Sequence, residues 1–239
     1  MITLKKDEKR VITVLMDNSS VVLEGVKRPI GSGRKDSIAS LQNDRVSGLQ
    51  NDRVEVVLAG ENSSVEVVGL VLPARSYFGT SGSIRTRAKE RSLADKGKVD
   101  DRSLEIYITH AAPNTKSNVN VRAVLRGKST FAFKGNVKIE KGAKGADAYL
   151  RSDALLFDDA KMGDDTPALE ILEPDVKAGH AATIGKVDEE MIFYLMSRGL
   201  SRDSAEKLII QGFIGPMREK IMEQTPLRSP KESYEGQEE

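Results

Sequence analysis

Short β-prone runs, each closed by turn-forming residues, recur along the first three-quarters of the chain. They limit its possible folds more than any other feature. The runs are Val11–Leu15, Val21–Leu23, Val54–Leu58, Val65–Val71, Leu104–Ile108, Val119–Leu125, Thr130–Phe133, Val137–Ile139, Ala148–Leu150 and Ala154–Phe157. Gly, Asn, Asp and Ser separate them, as at Asn62-Ser63-Ser64, Gly127, Gly135-Asn136, Gly142, Gly145, Asp158-Asp159 and Gly163. The spacing from run to run is about 6 to 12 residues. A sandwich or barrel has that rhythm. So does a parallel β-helix, whose turns are also short strands joined by bends. Mixed polar and apolar faces (VKIE, YLRSDALL) and the lack of Asn-Gly hairpin turns lean toward the solenoid. Sandwiches are the commoner fold, so periodicity alone leaves both open.

The residue inventory removes many functions. Among 239 residues there is no cysteine, and the only histidines are His110 and His180. The chain therefore supplies no disulfide, no thiol nucleophile and no thiolate for zinc or an iron–sulfur cluster. Lys and Arg number 37 against 36 Asp and Glu, with signs mixed along the chain, which argues against nucleic acid as the partner. Aromatic residues make up 5%, too few for a stacking platform. The charged start MITLKKDEKR is not followed by a long apolar stretch, and no run approaches membrane-spanning length. The expected address is cytoplasmic, with no membrane partner.

The texture changes near residue 186. Asp188-Glu189-Glu190 followed by Met191, Ile192, Leu195 and Met196, then Arg198 and Gly199, predicts a helix with an acidic first turn and a glycine stop. Ser201 can cap a second helix with Ala205, Leu208, Ile209 and Gly212 on one face. Pro216 can open a third, Met217–Met222. Met191, Ile192, Leu195, Leu208, Ile209 and Phe213 are expected as helix-packing core. The predicted layout is N-terminal β segments and a loop over 1–50, a β core over 51–186, a helical domain over 187–222 and a disordered tail over 223–239. The hexapeptide LQNDRV occurs twice, at Leu41–Val46 and Leu49–Val54. It is read as a local duplication in a tolerant loop.

Most catalytic motifs fail on spacing. Gly127-Lys128-Ser129-Thr130 ends like a phosphate-binding loop, but position 122 is Arg122 rather than glycine and a strand follows. Gly31-Ser32-Gly33 lacks a third glycine, since position 36 is Asp36. Two histidines seventy residues apart, without a Gly-x-Ser-x-Gly elbow, offer no triad. The acid pairs Asp158-Asp159 and Asp164-Asp165 read as solvated turn residues.

One stretch is far more specific. Its runs are His110-Ala-Ala-Pro113-Asn-Thr-Lys-Ser117, Val124-Leu125-Arg126-Gly127-Lys-Ser, Phe133-Lys-Gly135-Asn-Val137, Ala146-Asp147-Ala148, Leu155-Leu156 and Pro167-Ala-Leu169-Glu170-Ile171. The longest is Asp175-Val-Lys-Ala-Gly-His180-Ala-Ala-Thr183-Ile-Gly185-Lys-Val-Asp188-Glu189-Glu190, continued by Phe193-Tyr194-Leu195-Met-Ser197-Arg198-Gly199-Leu200. In order and spacing, Leu104–Phe213 resembles the C-terminal core of the SufB/SufD family of iron–sulfur cluster assembly scaffolds. Val54–Leu72 resembles an earlier turn of the same core.

The resemblance implies a mainly β fold, a right-handed parallel β-helix followed by a small C-terminal α-helical domain. It implies a non-enzymatic scaffold working with a SufC-like ABC ATPase docked on the C-terminal helices. Pairing with itself or with a SufB-like paralogue would run through the β-helix. The cofactor implied is an iron–sulfur cluster held transiently and shared with a partner subunit, not bound stably by this chain alone. The alternative is a β-helix interaction module that has lost cluster binding. SufD-like members carry Cys-Ser-His where this chain has Ala178, Gly179 and His180. His180 is then the implied metal- and cofactor-binding residue. On the residues alone the better reading is a buried histidine satisfied by backbone hydrogen bonds where the solenoid ends; the resemblance brings the ligand reading level with it. His110 lies in a turn motif and reads as structural.

Overall fold

A computed structural model describes residues 1–16, 21–28, 51–73 and 101–224. Among them are eleven strands: β1 (Ile2–Leu4), β2 (Lys9–Met16), β3 (Val21–Arg28), β4 (Asn51–Leu58), β5 (Ser64–Val71), β6 (Asp101–His110), β7 (Lys116–Leu125), β8 (Thr130–Ile139), β9 (Asp147–Leu156), β10 (Lys161–Ile171) and β11 (Lys177–Lys186). Two helices follow, α1 (Glu189–Ser197) and α2 (Arg202–Gln224). Gly31–Gly33, the first LQNDRV copy and the tail from 225 lie outside the described residues.

The strands form two sheets, ordered β1-β4-β6-β8-β10 and β11-β9-β7-β5-β2-β3. From β4 onward successive strands alternate between the sheets. Each pairs in parallel with the strand two places away, as β6 with β8 and β7 with β9. Among the described strands only β2 with β3 is antiparallel. An antiparallel sandwich is thereby overturned, and the parallel stacking agrees with the expected β-helix. β1 and β2 extend the same two sheets at one end, while β10 and β11 are their edges at the other.

The corners explain why Asn, Asp and Gly punctuate the sequence. Asp7, Asn62, Asn114 and Gly145 all take left-handed backbone, with φ of 57°, 59°, 56° and 73°. Short polar side chains and glycine tolerate that region best. These corners stack by backbone bonds: Asp7 N to Glu61 O, Asn62 N to Pro113 O, Asn114 N to Lys144 O and Gly145 N to Asp175 O, at 2.7–3.2 Å. Asn62 Nδ2 also donates to Asp7 Oδ1 at 3.0 Å.

Between the sheets lies the main core, including Leu58, Leu104, Ile106, Phe131, Phe133 and Leu150, each 0% exposed. β8 buries alternate residues into it, as a period of two requires. β5 instead runs apolar without a break from Val67 to Val71, because both of its faces are covered. Val67 and Val71 enter the inter-sheet core, while Val68 and Leu70 lie under α2 with Ile210, Ile214, Met217 and Ile221.

Four local readings need correction. Thr130–Phe133 and Val137–Ile139 are one strand, because Gly135 faces inward and continues the ladder; a β-carbon there would run into Leu150. Ala148–Leu150 and Ala154–Phe157 likewise belong to β9, apart from Phe157, bridged by the buried Ser152 and Asp153. The second LQNDRV copy is no free loop, since Asn51–Val54 pair with β6. Pro216 lies inside α2 rather than opening a third helix.

The predicted helix ends are present. Asp188 accepts from Glu190 N at 2.9 Å, and Gly199 has φ 93°. Ser201 Oγ accepts from Ser204 N at 3.2 Å. The buried stripe of α2 is shifted, however. Leu208 is 49% exposed, while Ile210, Ile214 and Met217 are buried. On α1 only Ile192 is buried and Met191 is 51% exposed. No described helix is long and apolar enough to cross a membrane.

Candidate functional site

The two histidines occupy opposite environments. His110 is 0% exposed at the end of β6. Its Nδ1 lies 2.8 Å from Thr115 Oγ1 and its Nε2 2.8 Å from Ser117 Oγ. Thr115 Oγ1 already donates to Ala112 O at 3.0 Å. The threonine hydroxyl must therefore accept from Nδ1–H, and Nε2 accepts from Ser117. Burial pushes the imidazole down to about 4, against a smaller upward pull from Asp147. This is a satisfied structural histidine, as its turn motif implied.

His180 is exposed. It sits on β11 in register with Leu150, which belongs to the inter-sheet core. Residues paired in a parallel ladder share a face, so His180 occupies the inter-sheet face of the terminal layer, where no further strand among the described residues covers it. A backbone-satisfied buried histidine is thereby excluded.

Asp165 shares that terminal layer. It pairs with the core residue Phe133 across a bulge in β10. Ser152 Oγ lies 3.4 Å from Asp165 Oδ2, while Oδ1 is buried with no hydrogen-bond partner. Burial pushes this carboxyl up, Ser152 opposes the shift, and Asp164 and Asp153 add to it. Reading Asp164-Asp165 as a solvated turn pair missed this. The only sequence signal was the return of apolar residues immediately afterwards, at Pro167–Ile171.

Two donors on one open layer do not make a metal centre. Among the described residues there is no group of three or more His, Asp or Glu placed to hold a metal. An iron atom or cluster brought to His180 would find an imidazole, and would need further ligands from elsewhere.

The free end and the helical pair also carry apolar surface. At the end of the sheets Ile171, Leu172 and Ile184 are 45–53% exposed. On α1, Phe193 is 73% and Tyr194 55% exposed. The underside of α2 is tied to the second sheet by charge. Arg126 pairs with Glu206, Lys220 Nζ with Glu66 at 2.6 Å, and Arg122 donates to the Phe213 carbonyl.

A two-sheet parallel β protein with a helical pair and an open terminal layer defines the structural class. The family described as "SUF system FeS cluster assembly, SufBD core domain" matches residues 82–213, and the chain belongs to it. An iron–sulfur cluster assembly SufBD family protein of Mycobacterium tuberculosis (strain H37Rv) is 38% identical over 130 residues, which is 54% of this chain and 15% of the relative. A Mycobacterium leprae SufBD family protein gives the same identity and coverage. One from Staphylococcus epidermidis is 33% identical over 130 residues, 54% of this chain and 28% of the relative. The chain thus spans less than a third of the length of these relatives.

Proposed function

We propose that this protein is a non-enzymatic scaffold subunit of a SUF-type assembly machinery, acting in the cytoplasm with a SufC-like ABC ATPase. Its two sheets are read as the faces of a right-handed parallel β-helix. The observation that carries the reading is the terminal layer of a SufBD-family core, which combines strand edges left open among the described residues, exposed apolar residues and His180. Strand edges of this kind are templates for another chain. A second copy or a SufB-like paralogue would pair along β10 and β11, and the iron–sulfur cluster, as cargo, would be shared across that junction. Phe193, Tyr194 and Met191 on α1 form the patch offered to the ATPase. Neither nucleic acid nor membrane is a partner in this scheme.

The ATPase contact is tested by co-purification of the full chain with the SufC-like protein. Retention is expected with or without ATP, and Phe193→Asp is expected to abolish it. No retention of the unaltered chain in either condition would overturn the partnership. The absence of cysteine favours one second reading, an interaction module without cluster chemistry.

A further inference from the structure

Two buried residues of α1 and the first half of α2 stand outside both apolar clusters of the sheets. Ile192 and Ala205 are 1% and 0% exposed, yet neither belongs to the inter-sheet core or to the apolar layer beneath α2. From residues 202–211 only Ile210 is buried in that layer, whereas the later half contributes Ile214, Met217 and Ile221. Between the halves lies Gly212-Phe-Ile-Gly215-Pro216. Pro216 lacks an N–H, which leaves the Gly212 carbonyl without its helical donor, and its ring crowds that turn. A β-carbon added at Gly212 or Gly215 would meet nothing within 4 Å. Packing therefore does not demand either glycine; both loosen the helix.

Polar groups hold the loosened segment down. Glu206, with 8% of its side chain exposed, pairs with Arg126 and accepts from Arg202 Nε at 3.0 Å. Arg202 Nη2 also reaches Glu189 of α1 at 2.8 Å. Arg126 itself lies 4.8 Å from the centre of the Phe157 ring and 3.7 Å from Asp158. At the loosened turn, Arg122 donates to the Phe213 carbonyl, with its guanidinium 5.2 Å from the ring centre. Its Nε is 3.7 Å from the buried Asp153.

We propose that α1 together with residues 202–211 is a hinged arm, pivoting at 187–188 and at 212–216 and latched onto the second sheet by Arg126 and Glu206. Hinges of this kind need a few residues that absorb the backbone change, and a latch whose loss frees one side only. Val187 N bonds Leu156 O at 2.9 Å where β11 runs into the first pivot. Opening the arm would therefore bear on the strand that carries His180. That consequence rests on the scaffold reading; the arm itself does not.

Hydrogen exchange on the full chain tests it. In Glu206→Gln, amides of 190–211 should exchange about tenfold faster or more, while β5, β7, β9 and residues 217–221 keep their protection. Gly212→Ala with Gly215→Ala should slow exchange across 212–216 and cancel part of that gain. Unchanged exchange of 190–211 in Glu206→Gln would overturn the proposal. So would a gain extending to 217–221 or to β7 and β9, or faster exchange in the alanine pair.

Discussion

Phe133→Ala should lower the unfolding free energy by about 4 kcal/mol, the middle of the range for a buried aromatic truncated in a packed core. Phe133 is 0% exposed and sits on β8, in register with Leu104 on one side and Asp165 on the other. The site has little capacity to collapse. Parallel ladders fix the backbone on both sides, and Gly135 is already so close to Leu150 that a β-carbon would collide with it. The removed ring therefore leaves a cavity as well as losing its transfer energy. Denaturant titration should show a lower midpoint with an unchanged slope. A loss below about 1 kcal/mol would mean that the two sheets do not enclose one tight core.

Acidification should show the second large effect. Burial lowers the pKa of the His110 imidazole to about 4 in the folded chain, against an ordinary value of 6.5. Between those values the unfolded chain binds the proton that the folded chain refuses. Stability from this group is full above about pH 6.5 and drains away as the pH falls toward 4, by about 3 kcal/mol in all. Asp165, pushed up by burial, works in the opposite sense, because its folded form takes a proton more readily. The contribution of His110 is therefore isolated as a difference. His110→Gln should be less stable at pH 7, having lost a ring that satisfies both Thr115 and Ser117. Its stability should also vary less than that of the unaltered chain between pH 6.5 and 4. Parallel profiles for the two proteins would show that His110 does not carry the titration.

Much of the fold was legible because its pattern is local. Asn62 and Gly145 announced corners, and Asp188 with Gly199 announced the ends of α1. What periodicity could not supply was pairing direction. A short alternating run looks the same in an antiparallel sandwich and in stacked parallel layers, and only the family motifs broke that tie. Gly135 was misread as a turn because glycine required for close approach looks like glycine required for positive φ. Pro216 was misread as a helix start because sheet contacts through Ile214, Met217 and Ile221 hold the helix together across it. At the site, the motif around His180 located the terminal layer. Asp165 escaped notice because it depends on Ser152, thirteen residues away and on the other sheet.

The account turns on whether a cysteine-free chain takes part in cluster assembly through His180. The most direct measurement is anaerobic cluster reconstitution of the assembled complex, comparing the unaltered chain with His180→Ala. Because His180 is exposed at the open end, the variant should melt at the same temperature. Its yield of the iron–sulfur absorption band should fall several-fold, since replacing one contact to bound metal or its supporting shell costs about tenfold or more. An unchanged band in the variant would contradict His180 as a contact to the cargo. No band with the unaltered chain and its partners would contradict the scaffold reading and favour an interaction module.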